Sequence, residues 1–253
     1  MYSIKQTDML QELQKIPENS IDCLVTDPPY KIVQGGVTKP LGGMFGNVMG
    51  GCLNRQMKNV RTGGLFDHND IKFADWLCEV YRVLKPKSHA YIFCSGRRLN
   101  ELTTEALKAG FIFQNLLVWK KQNVTPNKWY MNQCEFILML RKGGAKPINN
   151  MGSTTCLEFL NPTGNKTHPT EKPVDLLKHL ILNSTNKGET VLDPFMGTGN
   201  TGIACIDTGR NFIGYEIDKK FFLIAEEKLN FADKENQNEP KQEFFNRGNK
   251  VPH

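Results

Sequence analysis

The sequence lacks the cysteine and histidine patterns that mark a metal site or a disulfide framework. Its seven cysteines never form a CxxC pair, and its five histidines show no ligand spacing. It also lacks an apolar run long enough to span a membrane. Residues 1–20 contain no continuous apolar core, so no signal peptide is expected. These absences favour a reduced, cytoplasmic protein without a bound metal.

Acidic residues are missing from one long segment, residues 31–66, which contains nine glycines and shows no periodicity. A loop of this length within a compact domain is usually functional. A second segment, residues 120–150, contains six basic residues and the single acid Glu135. Basic runs are often only solvated surface, but two such segments favour a polyanionic partner. The basic residues of the first segment are Lys31, Lys39, Arg55, Lys58 and Arg61.

What the sequence does contain is an alternation of predicted strands and helices. The predicted strands are IDCLVT, HAYIFCS, FIFQNLLVWK, CEFILML, ETVLDPF and NFIGYEI. This alternation predicts an α/β fold, a mainly parallel sheet with helices on both faces. We expect one catalytic domain over residues 1–232 and a polar tail over residues 233–253. In the helix predicted from NDIKFADWLCEVYRVLKP, we expect Leu84 on the buried face and Asn69 or Asp70 as the cap.

The strand IDCLVT ends on TDPPY, residues 26–30. Its two prolines lack an N–H and hold the backbone extended, so the junction is a poor helix start. A turn opened by Asp-Pro and an active site are both open interpretations of this segment alone.

A second strand end carries GTGNTG, which matches GxGxxG at Gly197, Gly199 and Gly202. It follows a strand and opens a helix, and Glu216 ends the next strand at a distance suited to binding a ribose. A nicotinamide-dependent oxidoreductase is therefore one interpretation. Asp193 argues against it, because a carboxylate at this strand end would repel a pyrophosphate. S-adenosylmethionine, which has an ammonium and a sulfonium but no phosphate, suits that carboxylate better.

If one strand end binds a methyl donor, a neighbouring strand end is expected to bind the acceptor, because ligands of open α/β sheets gather at the carboxyl ends of strands. The Asp27 carboxylate and the Pro28 carbonyl can accept both hydrogens of an exocyclic amine and localise its lone pair. Pro29 helps to hold that carbonyl in place, and Tyr30 offers a ring on which a base can stack. The predicted chemistry is direct in-line displacement, in which positioning carries most of the rate.

Together, TDPPY, HPTEKP at residues 168–173 and LDPFMGTGNTG at residues 192–202 make the chain resemble the amino-methylating DNA methyltransferases of the permuted, beta type. The resemblance covers most of residues 4–230. It implies a Rossmann-like S-adenosylmethionine-dependent methyltransferase fold with circularly permuted motif order. Glu171 stands where the family more often has Gln, and we expect it only to favour the first turn of a helix.

The resemblance also implies roles for individual residues. The catalytic residues that it implies are Asp27, Pro28, Pro29 and Tyr30. The cofactor-binding residues that it implies are Asp8, His168, Thr170, Lys172, Asp193, Phe195, Gly197, Gly199, Thr201 and Glu216. The predicted DNA-binding residues are Lys31, Lys39, Arg55, Lys58, Arg61, Lys121 and Lys128.

The acid Asp27 resembles the adenine-N6 members, whereas cytosine-N4 members more often have serine there. We therefore predict a site-specific adenine-N6 methyltransferase acting on double-stranded DNA, with the target base flipped out. A cytosine-N4 enzyme and a catalytically inactive DNA-binding relative are the alternatives. A homodimer, a restriction–modification context and a prokaryotic or phage origin suit this family. DNA recognition is expected from residues 31–66 and 121–167. Trp129 and Tyr130 are candidates either to stack on bases or to pack against the protein, and for Trp129 packing is the favoured interpretation.

Overall fold

The computed structural model describes residues 1–29, 71–126, 129–161 and 171–238. The chain divides into two compact units, Met1–Pro28 with Lys72–His253 and Pro29–Ile71. Only the first and last residues of the second unit fall within the described ranges, so the fold given below is that of the first unit. The glycine-rich segment over residues 31–66 lies outside the described residues.

The first unit contains eight strands and six helices within the described ranges. The strands are β1 (Tyr2–Gln6), β2 (Ile21–Thr26), β3 (Leu84–Cys94), β4 (Ile112–Thr125), β5 (Asn132–Arg141), β6 (Cys156–Glu158), β7 (Thr190–Asp193) and β8 (Asn211–Glu216). The helices are α1 (Met9–Leu13), α2 (Phe73–Val83), α3 (Leu99–Lys108), α4 (Val174–Ser184), α5 (Asn200–Thr208) and α6 (Lys219–Asn238).

The strands form one sheet in the order β1-β8-β7-β2-β3-β5-β4-β6. The first five strands in this order are parallel, β5 runs antiparallel between β3 and β4, and β6 is parallel to β4. The predicted mainly parallel α/β fold is confirmed. Because parallel strands end at the same edge, this order places Glu216, Asp193 and Thr26 side by side at what we call the carboxyl edge.

The centre of the sheet is buried, which is why its strands read as nearly continuous apolar runs. Seven consecutive residues of β3, from Ser88 to Cys94, are buried. The amphipathic helix α2 buries Trp76, Leu77 and Val80 completely. In the described part of the chain, no helix is long and apolar enough to cross a membrane. The same residues include no cluster of His, Cys, Asp or Glu suited to hold a metal ion.

The boundaries of helices α2 and α6 differ from those predicted. α2 ends at Val83, and Leu84, expected on the buried face of the helix, instead begins β3. α2 starts after Lys72, whose N–H donates to the Asp75 carboxylate (2.9 Å), whereas the expected caps Asn69 and Asp70 lie outside the described residues. α6 continues to Asn238, so the first part of the predicted polar tail is helical.

The edge strand β1 was not predicted, because its sequence YSIKQ is short and mostly polar. It forms through backbone pairing with β8, in parallel register from Tyr2 opposite Phe212 to Gln6 opposite Glu216. This pairing brings the residues after β1 to the carboxyl edge.

Candidate functional site

Two sequence motifs meet at the carboxyl edge because β2 and β7 are neighbours in the sheet. Cys23 pairs with Val191 and Leu24 with Leu192, so Asp27 after β2 and Asp193 at the end of β7 lie on adjacent strand ends. The Thr26 hydroxyl donates to Asp193 Oδ1 at 2.7 Å. The residue before the predicted catalytic acid therefore bonds directly to the predicted donor-binding acid.

Asp193 is buried and accepts three hydrogen bonds from protein donors. Besides Thr26, its carboxylate accepts from the Thr201 hydroxyl (2.7 Å) and the Phe195 N–H (3.1 Å). Burial raises the pKa of Asp193 to about 6, the three hydrogen bonds oppose this shift, and the nearby charge of Asp27 adds to it. Three residues predicted at the cofactor site, Asp193, Phe195 and Thr201, are thus brought together.

The glycine-rich turn between β7 and α5 requires left-handed backbone. Gly197 has φ +52° and Gly199 has φ +85°, conformations that side chains other than glycine adopt only with strain. A Cβ on Gly199 would lie 3.0 Å from the Cβ of Ala225, whereas a Cβ on Gly197 would meet no heavy atom of the described residues within 4 Å. The turn therefore packs on α6 at one glycine and, as far as the described residues go, borders open space at the other.

Glu216 lies beside that open space and braces the same turn. Its Oε2 accepts from the Gly197 N–H (2.9 Å) and its Oε1 from the Asp218 N–H (2.8 Å). Burial raises the pKa of Glu216, and these backbone hydrogen bonds oppose the shift. Asp8 follows β1 to the same edge, where it caps α1 by accepting from the Leu10 N–H at 3.0 Å.

Lys172, predicted in the cofactor pocket, lies against Asp27, the predicted catalytic acid. Its ammonium is 2.6 Å from Asp27 Oδ2 and 3.1 Å from Glu135 Oε2, and it sits over the Phe93 ring at 5.2 Å from the centroid. Glu135 in turn forms an ion pair with Lys121. Sequence reasoning did not assign Glu135 to the site. The available signal was that Glu135 is the single acid in a basic segment.

Lys121, predicted to contact DNA, is held by this ion pair instead of standing alone at the surface. Its ammonium also lies 5.3 Å from the Trp119 ring centroid. Because its ammonium is engaged by Glu135 and lies over the Trp119 ring, Lys121 helps to support the site from β4.

Glu171 does not occupy the first turn of a helix, since α4 begins at Val174, and that expectation is wrong. Its carboxylate accepts from the Thr198 hydroxyl (2.7 Å) in the glycine-rich turn and pairs with Lys228 of α6 (2.8 Å). The acid thus links the segment before α4 to the turn at Gly197. Lys228 supplies the charge that makes a buried acid acceptable there.

The hairpin joining β4 and β5 exposes two aromatic rings. Trp129 is 87% exposed and Tyr130 is 91% exposed, so the expectation that Trp129 packs against the protein is wrong. The hairpin projects from the carboxyl edge, because β4 ends there and β5 begins there. Asn132, the first residue of β5, lies three residues before Glu135, which is about 10 Å along the strand.

Several predicted site residues lie outside the described ranges. They are Tyr30 of the catalytic set, His168 and Thr170 of the cofactor set, and Lys31, Lys39, Arg55, Lys58, Arg61 and Lys128 of the DNA-binding set. Of the catalytic set, Asp27, Pro28 and Pro29 are described.

Comparison with known proteins places this site among enzymes that modify DNA. The family model described as DNA methylase matches residues 21–227. The type II methyltransferase M2.DpnII of Streptococcus pneumoniae is 29% identical over 250 residues, covering 91% of this chain and 90% of that protein. M2.MboI of Moraxella bovis, also a type II methyltransferase, is 28% identical over 266 residues, covering 96% and 93%. The crystal structure of an M1.HpyAVI–SAM complex superposes with TM-score 0.64 at 26% identity, covering 90% of this chain and 100% of that chain.

Proposed function

The chain belongs to the DNA methylase family, and from its site we propose that it transfers a methyl group from S-adenosylmethionine to the N6 amine of a flipped-out adenine in DNA. The prediction of an S-adenosylmethionine-dependent DNA methyltransferase is confirmed by the family match, which excludes the nicotinamide-dependent alternative. The observation that carries the proposal is the Thr26–Asp193 hydrogen bond, which joins the residue before Asp27 to the acid that we assign to the methyl donor.

The residues at the carboxyl edge fit the donor. S-adenosylmethionine supplies a methyl group on a sulfonium sulfur, which keeps the electron pair of the broken bond. The space at Gly197 is bordered by Glu216, whose carboxylate suits the ribose hydroxyls. Asp8, which follows β1 to the same edge, we assign to the adenine ring. Asp193 and Glu216 are acids, and acids favour a cationic donor over a phosphate-bearing one.

We assign the acceptor chemistry to the end of β2. The Asp27 carboxylate and the Pro28 carbonyl accept the two hydrogens of the target amine and aim its lone pair at the methyl carbon. After N6 has gained the methyl group it loses one proton, which we assign to Asp27. Tyr30 is proposed to stack on the flipped base, and unstacking the base costs a few kcal/mol that contacts to the DNA must offset.

The base is tested by identifying the methylated nucleoside. Purified protein is incubated with DNA and methyl-labelled S-adenosylmethionine, and the DNA is digested to nucleosides and separated. Label in N6-methyl-2′-deoxyadenosine supports the proposal. Label in N4-methyl-2′-deoxycytidine would retain the mechanism and overturn the choice of base, and absence of label from every DNA tested would overturn the proposed function.

The affinity for S-adenosylmethionine is expected to fall as the pH is lowered through about 6. Burial raises the pKa of Asp193 to about 6, and the protonated acid no longer attracts the ammonium of the donor. The stability of the free protein depends on pH in the opposite sense. A carboxyl whose pKa is raised by folding adds to the free energy of unfolding at a pH below its pKa in the unfolded chain. This contribution is lost as the pH rises through about 6, the pKa of Asp193 in the folded protein.

Calorimetric titrations of wild type and Asp193→Asn between about pH 5 and pH 8 check this dependence. The wild-type dissociation constant should rise toward low pH, and that of Asp193→Asn should change less. A wild-type constant that is flat across this range would contradict the assignment of Asp193.

We propose that the exposed tip of the β4–β5 hairpin contacts DNA. Trp129 and Tyr130 present aromatic faces beyond the carboxyl edge, and every base offers a ring for stacking. The segment 121–167 therefore contributes rings as well as charges. The basic segment 31–66 is proposed to add contacts to phosphates and guanine edges.

Replacing Trp129 and Tyr130 together by alanine is expected to weaken DNA binding about 10-fold or more, because base stacking contributes about 1–3 kcal/mol per base. Fluorescence anisotropy with a labelled duplex measures the change, and the affinity for S-adenosylmethionine should be unaffected. Phe231→Ala removes an exposed aromatic ring from α6 and serves as the matched control. Equal DNA affinity in the double variant and in wild type would contradict the contact.

A further inference from the structure

We propose that Glu135 is a positioning residue for methyl transfer, which holds the Asp27 carboxylate in its reactive orientation through Lys172. This inference rests on the proposed function, because it assigns to Asp27 the binding of the target amine. The residues involved form a chain of alternating charge, Asp27–Lys172–Glu135–Lys121, and we refer to it as the ion-pair chain.

The ion-pair chain joins three parts of the fold that are distant in sequence. Asp27 follows β2, Lys172 precedes α4, and Glu135 lies on β5 opposite Trp119 of β4. Lys172 and Asp27 are separated by 145 positions along the chain. Glu135 reaches the carboxyl edge because β5 is antiparallel to β3, so the beginning of β5 lies beside the end of β3.

The Lys172 ammonium is buried, with its side chain only 8% exposed, and a buried charge needs compensation. Asp27 and Glu135 provide it from two directions, at 2.6 and 3.1 Å. Burial pushes the pKa of Glu135 upward, but Lys172 and Lys121 outweigh burial and hold it below its usual value. Glu135 is therefore ionised, and its negative charge compensates part of the Lys172 charge that would otherwise act on Asp27.

The sharing of Lys172 between Asp27 and Glu135 matters for the reaction because Asp27 must also accept the target amine. A carboxylate can accept more than one donor. Lys172 bonded to one oxygen, Oδ2, orients the group while Asp27 still receives the target amine. Without the Glu135 charge, Lys172 would act more strongly on Asp27 and weaken it as an acceptor. Among the described residues, the further ionisable groups that face Asp27 include Asp193, across the Thr26 hydrogen bond, and Cys94, whose pKa burial raises to about 12.

The test replaces Glu135 by glutamine, which keeps the shape and removes the charge. We expect kcat to fall about 10- to 100-fold, which is the typical effect of removing a side chain that orients a reacting group. The acidic limb of the kcat–pH profile should move to lower pH, and the dissociation constant for S-adenosylmethionine should stay within about twofold of wild type. Glu135→Asp, which restores the charge, should recover part of kcat.

Glu105→Gln is the matched control, because Glu105 also pairs with a lysine, Lys108, at 2.8 Å but lies on α3, outside the ion-pair chain. It should leave kcat unchanged. If Glu135→Gln fails to fold, Lys121→Gln probes the same chain from its outer end. It should move the acidic limb in the opposite direction, to higher pH, because loss of the Lys121 charge lets Glu135 draw the Lys172 charge further from Asp27. A folded Glu135→Gln or Lys121→Gln with wild-type kcat and pH profile would overturn the inference, whereas a wild type that methylates no DNA would overturn the proposed function itself.

Discussion

Replacing Asp27 by alanine should lower kcat for DNA methylation by about a thousandfold or more while leaving the dissociation constant for S-adenosylmethionine within about twofold of wild type. The target amine is a weak nucleophile because its lone pair is delocalised into the ring. Alanine removes the charged acceptor that localises this lone pair, and such preorganised hydrogen-bonding groups are among the largest single contributions to catalysis. Single-turnover methylation kinetics and calorimetric titration of the donor measure the two quantities.

The control for Asp27→Ala is Asp22→Ala on the same strand. Asp22 lies in the first half of β2, where it pairs with Lys85 (2.6 Å) and accepts from the Thr190 N–H (2.9 Å). It carries an ion pair like that of Asp27 but lies away from the carboxyl edge. Its loss should lower the midpoint of thermal unfolding without lowering kcat comparably. Asp27→Ala with wild-type kcat would remove Asp27 from the reaction.

Asp193→Ala should raise the dissociation constant for S-adenosylmethionine about 10- to 100-fold. Hydrogen bonds to a charged group contribute about 1.5–3 kcal/mol, and about 1.4 kcal/mol corresponds to a factor of ten. The substitution removes the carboxylate from the donor site. It also leaves the buried hydroxyls of Thr26 and Thr201 without their acceptor, so the midpoint of thermal unfolding should fall as well.

Asp193→Asn separates these two consequences. Asparagine keeps the shape and one carbonyl acceptor but has no charge. If the charge attracts the donor, Asp193→Asn should bind S-adenosylmethionine nearly as weakly as Asp193→Ala. If Asp193→Ala binds S-adenosylmethionine with the affinity of wild type, the assignment of the Asp193 carboxylate to donor binding is contradicted.

Much of the fold and of the donor site is readable from the sequence because the signals are local. The glycine-rich turn is recognisable in the sequence from Gly197 and Gly199, and in the structure both residues have left-handed backbone. Asp193 stands at the end of an apolar run, and the structure places it at the end of β7. The strand alternation predicts a mainly parallel sheet for the same reason, since buried parallel strands are continuous apolar runs.

What the sequence could not provide depends on tertiary pairing. The strand β1 owes its structure to β8, at the other end of the described chain. No sequence feature connects Lys172 with Asp27. In the sequence Glu135 is one acid among basic residues, and only the antiparallel pairing of β5 with β3 brings it to the site. Trp129 was misassigned because apolar rings are usually buried, and only its place at a hairpin tip reveals its exposure.

The most direct measurement is single-molecule sequencing of DNA from cells expressing the wild-type protein or the Asp27→Ala variant. We predict N6-methyladenine at one short recurring sequence in cells with the wild-type protein and its absence in cells with the variant. The same modification in both would show that Asp27 does not act in the reaction. No modified base in either, with both proteins present at equal levels, would contradict the assignment of this site to DNA methylation.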